Sequence, residues 1–268
     1  MPQSISSPKN PLIKALLRLK ERRQREREGR YLIEGAPELK RAQAARVPIE
    51  TLLVAPSLLS DEAQRWLKDS TLPTITLSEA AFRRLSFRQT PDGVIAVAQI
   101  THVTLAAVRL ATNPLLLVVD GVEKPGNLGA LLRTADAAGC DAIILTGHGT
   151  DIYNPNVIRS SVGSLFSRPV VQSDPAEVIQ FCRQHTIKLI ASSPAASTSY
   201  WDVSYAAGTA IVLGTEHAGL SQLWFDATAI QVSIPMFGLA DSLNVATSGA
   251  LLLYEALRQR QSAPSNRQ

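Results

Sequence analysis

The strongest constraint on the fold is a series of short strand-like segments, rich in apolar residues, in the second half of the chain, separated by helical stretches. The clearest is the continuous apolar run Leu115-Leu116-Leu117-Val118-Val119; Ala142 to Thr146, Val170-Val171, Lys188 to Ala191, Ala210 to Leu213 and Ile230 to Ile234 read as further strands. Short continuous apolar runs fit strands buried on both faces, whereas a half-exposed strand would be polar at every second position. Leu128 to Ala138 (ended by Gly139), the stretch around Val157 to Gly163, Pro175 to His185 and Ser242 to Arg260 read as helices. This alternation predicts an α/β fold with a mostly parallel sheet and helices on both faces. In such sheets, ligands sit beyond the carboxyl ends of the strands.

The first half has a finer grain. Tyr31 to Ile33, Ile49 to Val54, Thr74 to Thr76 and Val94 to Val97 read as strands. Pro37 to Ala45, Ser60 to Lys68 and Ser78 to Leu85 read as helices. Residues 31–98 therefore form a small α/β unit. Residues 99–113, weakly patterned and containing the breaker pair Asn113-Pro114, read as a linker to a second domain over 114–260. Residues 261–268 read as a polar tail.

Charge is concentrated at one end. The 268 residues carry 27 Lys and Arg against 23 Asp and Glu, a net charge of +4. Residues 1–30 alone hold nine bases and three acids, an excess of six, which leaves −2 for the rest. Asn10-Pro11 is a helix start, with Asn as N-cap and Pro at the first helical position. Leu12, Ile13, Leu16 and Leu17 follow at helical spacing, and Gly29 is a stop. The expectation is one basic helix over 1–30. It suits a polyphosphate partner, with Lys14, Arg18 and Arg22 among its contacts, and reads equally as a solvated helix face.

Several classes are excluded. No run reaches the ~18 apolar residues of a membrane span, and nothing at the N-terminus reads as the apolar core of a signal peptide. A cytoplasmic protein without membrane contact is the expectation. Cys140 and Cys182 are far apart and the four histidines are scattered, so neither a disulfide framework nor a protein-built metal site is expected.

Three loops after strands are dense in glycine, asparagine and acids. They are Asp120 to Gly129, Gly214-Thr215-Glu216-His217-Ala218-Gly219, and Pro235 to Asn244. Gly121 to Gly126 and Gly214 to Gly219 have P-loop glycine spacing, but Asn127-Leu128 and Leu220-Ser221 replace the Lys-Ser/Thr pair that would reach terminal phosphates. The dinucleotide fingerprint is also missing after the first strand, which ends Asp120-Gly121-Val122.

Gly126-Asn127-Leu128-Gly129 with Arg133, Gly214 and Glu216 with Gly219, and Ile234-Pro235-Met236 with Ser242-Leu243-Asn244-Val245 resemble the three ordered motifs of the SpoU group of SPOUT RNA methyltransferases. The resemblance spans about residues 115–258. Residues 31–98 resemble the substrate-binding domain that precedes this catalytic domain in many members, and Asn10-Pro11-Leu12-Ile13-Lys14 resembles the opening of ribosomal-RNA members. The resemblance implies methyl transfer from S-adenosylmethionine to a ribose 2′-hydroxyl of RNA, with ribosomal RNA of the large subunit favoured. It also implies a trefoil knot and a homodimer. The alternatives are a transfer-RNA methyltransferase of the same group and a non-catalytic RNA-binding factor of the same fold.

The resemblance also assigns residues, each with an ordinary structural reading beside it. It places Asn127 in the active site, where it also reads as a helix N-cap. Arg133 is implied to be catalytic; as a surface arginine it would pair with Asp136, three residues on. A guanidinium is a poor general base, so the role that fits is holding a substrate phosphate and stabilising the developing alkoxide. Glu216 is implied to shape the pocket floor, and otherwise bonds backbone amides in its loop. Ser242 reads as the N-cap of the last helix with Asn244 in its first turn; the resemblance adds contacts to the target nucleotide or the cofactor. Gly214, Gly219, Ile234, Met236 and Leu243 are implied to surround the cofactor, and are otherwise turn and core residues. Arg159 matches a position that faces an RNA phosphate, or is a solvated helix residue. Gly249 keeps the last helix slim for close packing.

Overall fold

The computed structural model describes residues 4–215, 218–228 and 230–262. They fall into two compact units: residues 4–101 with 151–167, and residues 102–150 with 168–262. The segment 151–167, which the sequence reading assigns to the second domain, belongs to the first unit.

The first unit runs β1 (Ser4–Ile5), α1 (Pro11–Arg18), α2 (Arg22–Glu28), β2 (Arg30–Glu34), α3 (Ala36–Ala44), β3 (Ile49–Val54), α4 (Asp61–Lys68), β4 (Thr74–Leu77), α5 (Glu79–Leu85) and β5 (Val94–Gln99). Its sheet has the order β1-β4-β3-β5-β2 and is mixed: β4 pairs in parallel with β1 and β3, while β5 runs antiparallel to β3 and β2. Side chains alternate across it. Leu32, Leu53, Ile95 and Val97 face a cluster that includes Ile13, Leu16 and Leu19 of the N-terminal segment and Ala81, Phe82 and Leu85 of α5. Tyr31, next to Leu32, faces the opposite way, packing tilted against Tyr153 (centroids 4.4 Å apart) and stacked on Phe166.

The expected single basic helix is two helices. Asn10 caps α1 as read, accepting from Leu12 N at 2.8 Å. The chain then leaves helical geometry at Glu21 and re-enters α2, which ends at Gly29 with φ +62°. The reason lies in Arg25. A straight helix would have carried it into water, but the break turns it inward, where it is 1% exposed. Its guanidinium donates to the carbonyls of Leu19 (2.7 Å) and Lys20 (2.9 Å), which α1 leaves open at its end, and to Asp151 Oδ2 at 2.8 Å. One of the nine bases in this run is thus an internal strut. The N-terminal segment also contributes Ile13, Leu16, Leu19 and an edge strand to the unit, so it is part of the core and not an appendage. β1 carries no sequence signal, being only two residues long.

The second unit runs β6 (Leu115–Asp120), α6 (Pro125–Ala137), β7 (Ala142–Thr146), α7 (Pro155–Ser160, in the segment that joins the first unit), β8 (Val170–Gln172), α8 (Pro175–Gln184), β9 (Lys188–Ser192), β10 (Thr209–Leu213), α9 (Gln222–Ala227), β11 (Ile230–Val232) and α10 (Val245–Ser262). Its sheet, ordered β11-β9-β10-β6-β7-β8, is parallel throughout. Leu116, Val118, Ile144 and Val212 pack into a core with Val178 and Cys182 of α8 and Trp224 of α9. Alternation sends Leu117 and Ile211 to the other face, where α6 packs against α10. Residues 102–113 are not a free linker: Val103 bridges to Val171, Leu105, Val108 and Leu110 pack on the core, and Ala111 N donates to Asp141 Oδ1 at 2.9 Å. Arg260 ties the end of α10 back to this stretch, donating to the carbonyls of Asn113, Pro114, Tyr205 and Ala207 at 2.7–3.1 Å.

Two helix starts differ from the reading. α6 begins at Pro125, with Lys124 as N-cap, so Asn127 is its third residue and not the cap. α10 begins at Val245. Its cap is Asn244, whose Oδ1 accepts from Ala246 N at 3.0 Å, and not Ser242. α9 was not anticipated, because six residues holding one buried side chain give no period to read.

Two tests follow. Arg25→Met should destabilise the protein by about 3–5 kcal/mol in urea unfolding, because it strands the Asp151 carboxylate and two helix-end carbonyls. Burial pushes the thiols of Cys140 and Cys182 up to about 12, so neither should react with a thiol-specific disulfide reagent at mildly alkaline pH until the protein is unfolded.

A candidate cofactor cleft at the carboxyl edge of the parallel sheet

A cavity of about 400 Å³ lies in the second unit, beyond the carboxyl ends of β9 and β10. Its wall holds Gly214 and Gly219 from the second glycine loop and Ile234, Met236, Ser242 and Leu243 from the third. The sequence reading had picked out all six. Leu213, Leu220, Phe225 and Val245 extend the apolar lining, and Asp241 and Ser248 add polar groups.

Local geometry explains why glycine stands at Gly214. A Cβ there would lie 2.3 Å from the carbonyl carbon of Gly219 and 2.6 Å from the amide of Leu220. The obstacle is backbone and cannot swing aside. The loop therefore closes on itself, with Thr215 N donating to Gly219 O (3.1 Å) and Gly219 N to Thr215 O (3.2 Å). Gly219 is needed for a different reason: its φ is +66°, while the space at its Cβ is open.

The first glycine loop joins the other two. Gly121, at φ +70°, sits where a Cβ would be 2.9 Å from Thr215 Cγ2. Asn244 Nδ2 donates to Asn127 Oδ1 at 3.2 Å, so the cap of α10 also ties the third loop to α6. Gly249 makes this approach possible. A Cβ on it would be 2.4 Å from Leu131 Cδ2 and 2.9 Å from Leu213 Cδ1, both buried.

Arg133 lies two turns along α6 from Asn127 and is exposed, while Leu128, Leu131, Leu132 and Ala135 form the buried stripe as read. The expected Arg133–Asp136 pair is not formed. Asp136 is taken by Arg168 Nε at 3.4 Å, and among the described residues Arg133 has no ion-pair partner. Arg159 is exposed on α7, and Lys14 and Arg18 on α1, all in the first unit. Arg22 is exposed and engaged by Glu26 at 2.7 Å. Glu216 lies outside the described residues, as do His217 and the tail beyond Ser262.

The reading missed the turn after β9. Ser192, Ser193, Pro194 and Ala195 form one side of the cavity. The signal was available: a Ser-Ser-Pro turn following an apolar strand of a parallel sheet is where a ligand crevice is expected. Among the described residues no group of His, Cys, Asp and Glu is placed to hold a metal ion, and no helix is long and apolar enough to cross a membrane.

An α/β unit with a parallel sheet, a carboxyl-edge cleft lined by two glycine loops with a third bonded to them, and a preceding small α/β unit define a known class. Residues 114–254 match the SpoU rRNA Methylase family, and residues 10–96 match the MRM3-like substrate binding domain. The chain is 33% identical over 247 residues to the 23S rRNA (uridine(2479)-2′-O)-methyltransferase of Streptomyces viridochromogenes, covering 89% of this chain and 86% of that protein. It is 30% identical over 257 residues to the 23S rRNA (guanosine(2553)-2′-O)-methyltransferase of Bacillus subtilis (strain 168), covering 94% and 98%. Among solved structures, one described as an RNA 2′-O ribose methyltransferase superposes with a TM-score of 0.87 at 46% identity, covering 97% of this chain and all of that one. The SpoU methyltransferase AviRb from Streptomyces viridochromogenes, in complex with AdoMet, superposes with a TM-score of 0.88 at 32% identity, covering 95% and 99%. The chain belongs to the SpoU rRNA Methylase family.

The two glycines of the second loop should respond differently to alanine. Gly214→Ala forces backbone apart and should cost about 1–3 kcal/mol or more in thermal unfolding. Gly219→Ala carries only the left-handed penalty of about 1–2 kcal/mol.

Proposed function

We propose that this chain transfers a methyl group from S-adenosylmethionine to a ribose 2′-hydroxyl of RNA, and that the RNA is large-subunit ribosomal RNA. The observation that supports this most is that the second and third motif loops line one cleft while the first loop is bonded to the third through Asn127 and Asn244. Support for the ribosomal substrate comes from the curated relatives named for 23S rRNA, which match the chain across both units.

The cleft suits the cofactor. About 400 Å³ falls within the range of roughly 300–1,000 Å³ typical of small-molecule sites. Leu213, Ile234, Met236 and Leu243 supply apolar surface for a purine face. Ser193 and Ser242 supply hydroxyls, and Asp241 supplies a carboxylate for a cationic amino group. When bound, S-adenosylmethionine supplies an electrophilic sulfonium methyl. The protein's task is then alignment and activation of a weak hydroxyl nucleophile.

Arg133 is the residue for the acceptor side. Without an ion-pair partner among the described residues, its guanidinium holds the phosphate beside the target ribose and stabilises negative charge developing on the 2′-oxygen. Asn127 and Asn244, bonded to each other, fix α6 against the mouth of α10 and so set the position of Arg133 relative to the donor cleft. Ser242 and Glu216 complete the catalytic set, Glu216 by shaping the pocket floor. Arg159, Lys14, Arg18 and Arg22 contact RNA from the first unit.

In this reading the chain is knotted, threading its C-terminal segment through an earlier loop, and it acts as a homodimer in the cytoplasm. Backbone-on-backbone contact at Gly214 and the close seating of Gly249 fit such threading. The groove on α10 bounded by Tyr200, Leu251 and Tyr254, with Tyr254 half exposed, is the face for a second copy.

The test is incubation with methyl-labelled S-adenosylmethionine and separate unmodified RNA fractions. Label should enter large-subunit ribosomal RNA and survive alkali in a dinucleotide, since a 2′-O-methyl blocks cleavage at its own phosphodiester. Label in transfer RNA alone would reverse the substrate assignment, and no transfer to any RNA would leave only a binding factor. Arg133→Ala should lower kcat by about 10²–10³ while leaving S-adenosylmethionine affinity unchanged.

A further inference from the structure

The first unit carries a charged surface that the N-terminal run alone does not define. α1 and α5, some 60 residues apart in sequence, pack side by side on one face of the first sheet, burying Ile13, Leu16, Phe82 and Leu85 in a single cluster. Their outer faces are therefore neighbours. Lys20 joins them. It follows α1, and its Nζ donates to the carbonyls of Arg84 and Ser86 at 3.3 Å each, while lying 4.6 Å from the centroid of the Phe87 ring. A cation thus closes the carboxyl end of α5, where the helix dipole favours it.

Charge on this face is one-sided because α1 has no acid and the one acid of α5, Glu79, is held by Arg83 at 2.7 Å. On the neighbouring α2, Glu26 is held by Arg22 at 2.7 Å, and the exposed Glu21 lies in the turn before it. Arg25 of the N-terminal run is buried. What remains on α1 and α5 is Lys14 and Arg18, one turn apart, and Arg84, all exposed and without an ion-pair partner among the described residues. Adjacent unpaired cations repel each other and are relieved by a polyanion.

We propose that the joined face of α1 and α5 grips the phosphate backbone of RNA, with Lys14, Arg18 and Arg84 as contacts and Lys20 as the strut that holds the two helices in register. The proposal rests on the reading of the chain as an RNA-modifying enzyme. It adds a residue from outside the basic run, Arg84, and it removes Arg25 and lowers the weight of Arg22.

Phosphate contacts carry no sequence information, so a generic structured RNA reports on them. The probe is a fluorescein-labelled RNA hairpin, titrated with full-length protein over a range of KCl concentrations and read by anisotropy. Each neutralised phosphate contributes about 0.7–0.9 to the slope of log K against log salt. Lys14→Gln and Arg84→Gln should each flatten the slope by about that amount, and the Lys14→Gln/Arg18→Gln/Arg84→Gln variant by about 2–3. Arg84→Lys should restore it, which a purely structural role for the guanidinium would not allow. Lys68→Gln, on α4, which packs with α3 and away from this face, should leave it unchanged. If the wild-type slope is steep and Arg84→Gln behaves as Lys68→Gln does, the proposed face is wrong while the enzyme reading stands. If the wild-type protein shows no salt-dependent RNA binding, both fail.

Discussion

The second unit depends on a place where backbone meets backbone. At Gly214 the chain leaves β10 and within five residues returns so close that no side chain fits between the two passes. Close packing of this kind leaves no room for adjustment, since interiors are as dense as organic crystals. The cavity wall, the end of β10 and the start of α9 are all held by that one approach. At Gly249 the close approach is to side chains instead, and it lets α10 settle on Leu131 and Leu213. Two residues without side chains thus determine where the third glycine loop can lie, and with it the mouth of the cleft.

Polar cross-links then fix what packing has brought together. Asn244 caps α10 through Ala246 N and also donates to Asn127, so one side chain both starts a helix and ties two motifs. Arg260 does similar work at the other end of α10 by satisfying carbonyls of the stretch before β6 and of the stretch before β10. In the first unit the equivalent is Arg25, whose guanidinium occupies the carbonyls that α1 leaves open. In each case a side-chain cation or amide meets backbone or amide groups that would otherwise lack a partner, and at Arg25, which is buried, leaving them unpaired would be most costly.

The unpaired groups are as informative as the paired ones. Arg133 is exposed and free of its sequence neighbour because Arg168 has taken Asp136. α1 has no acid and the one acid of α5, Glu79, is engaged by Arg83, leaving Lys14, Arg18 and Arg84 without an ion-pair partner among the described residues. Charge without an ion-pair partner among the described residues, on α6 and on the α1 and α5 face, suits a polyanionic substrate.

Residue order by itself determined the parallel sheet and the small preceding α/β unit, and the motif resemblance pointed to six of the residues that line the cleft but not to the Ser192–Ala195 side. Apolar runs, helix periods and motif glycines are local patterns, and each reports its own element. Ile49–Val54 and Ala142–Thr146 were legible to the residue for that reason. Tertiary structure alone decided which charges and caps do what. Whether Arg25 faces water or a helix end, whether Asp136 pairs with Arg133 or Arg168, and whether Asn244 or Ser242 starts α10 depend on groups that come together only when distant segments pack. Periodicity cannot register those contacts, because a hydrogen bond's partner is set by distance in space and not by position in the chain.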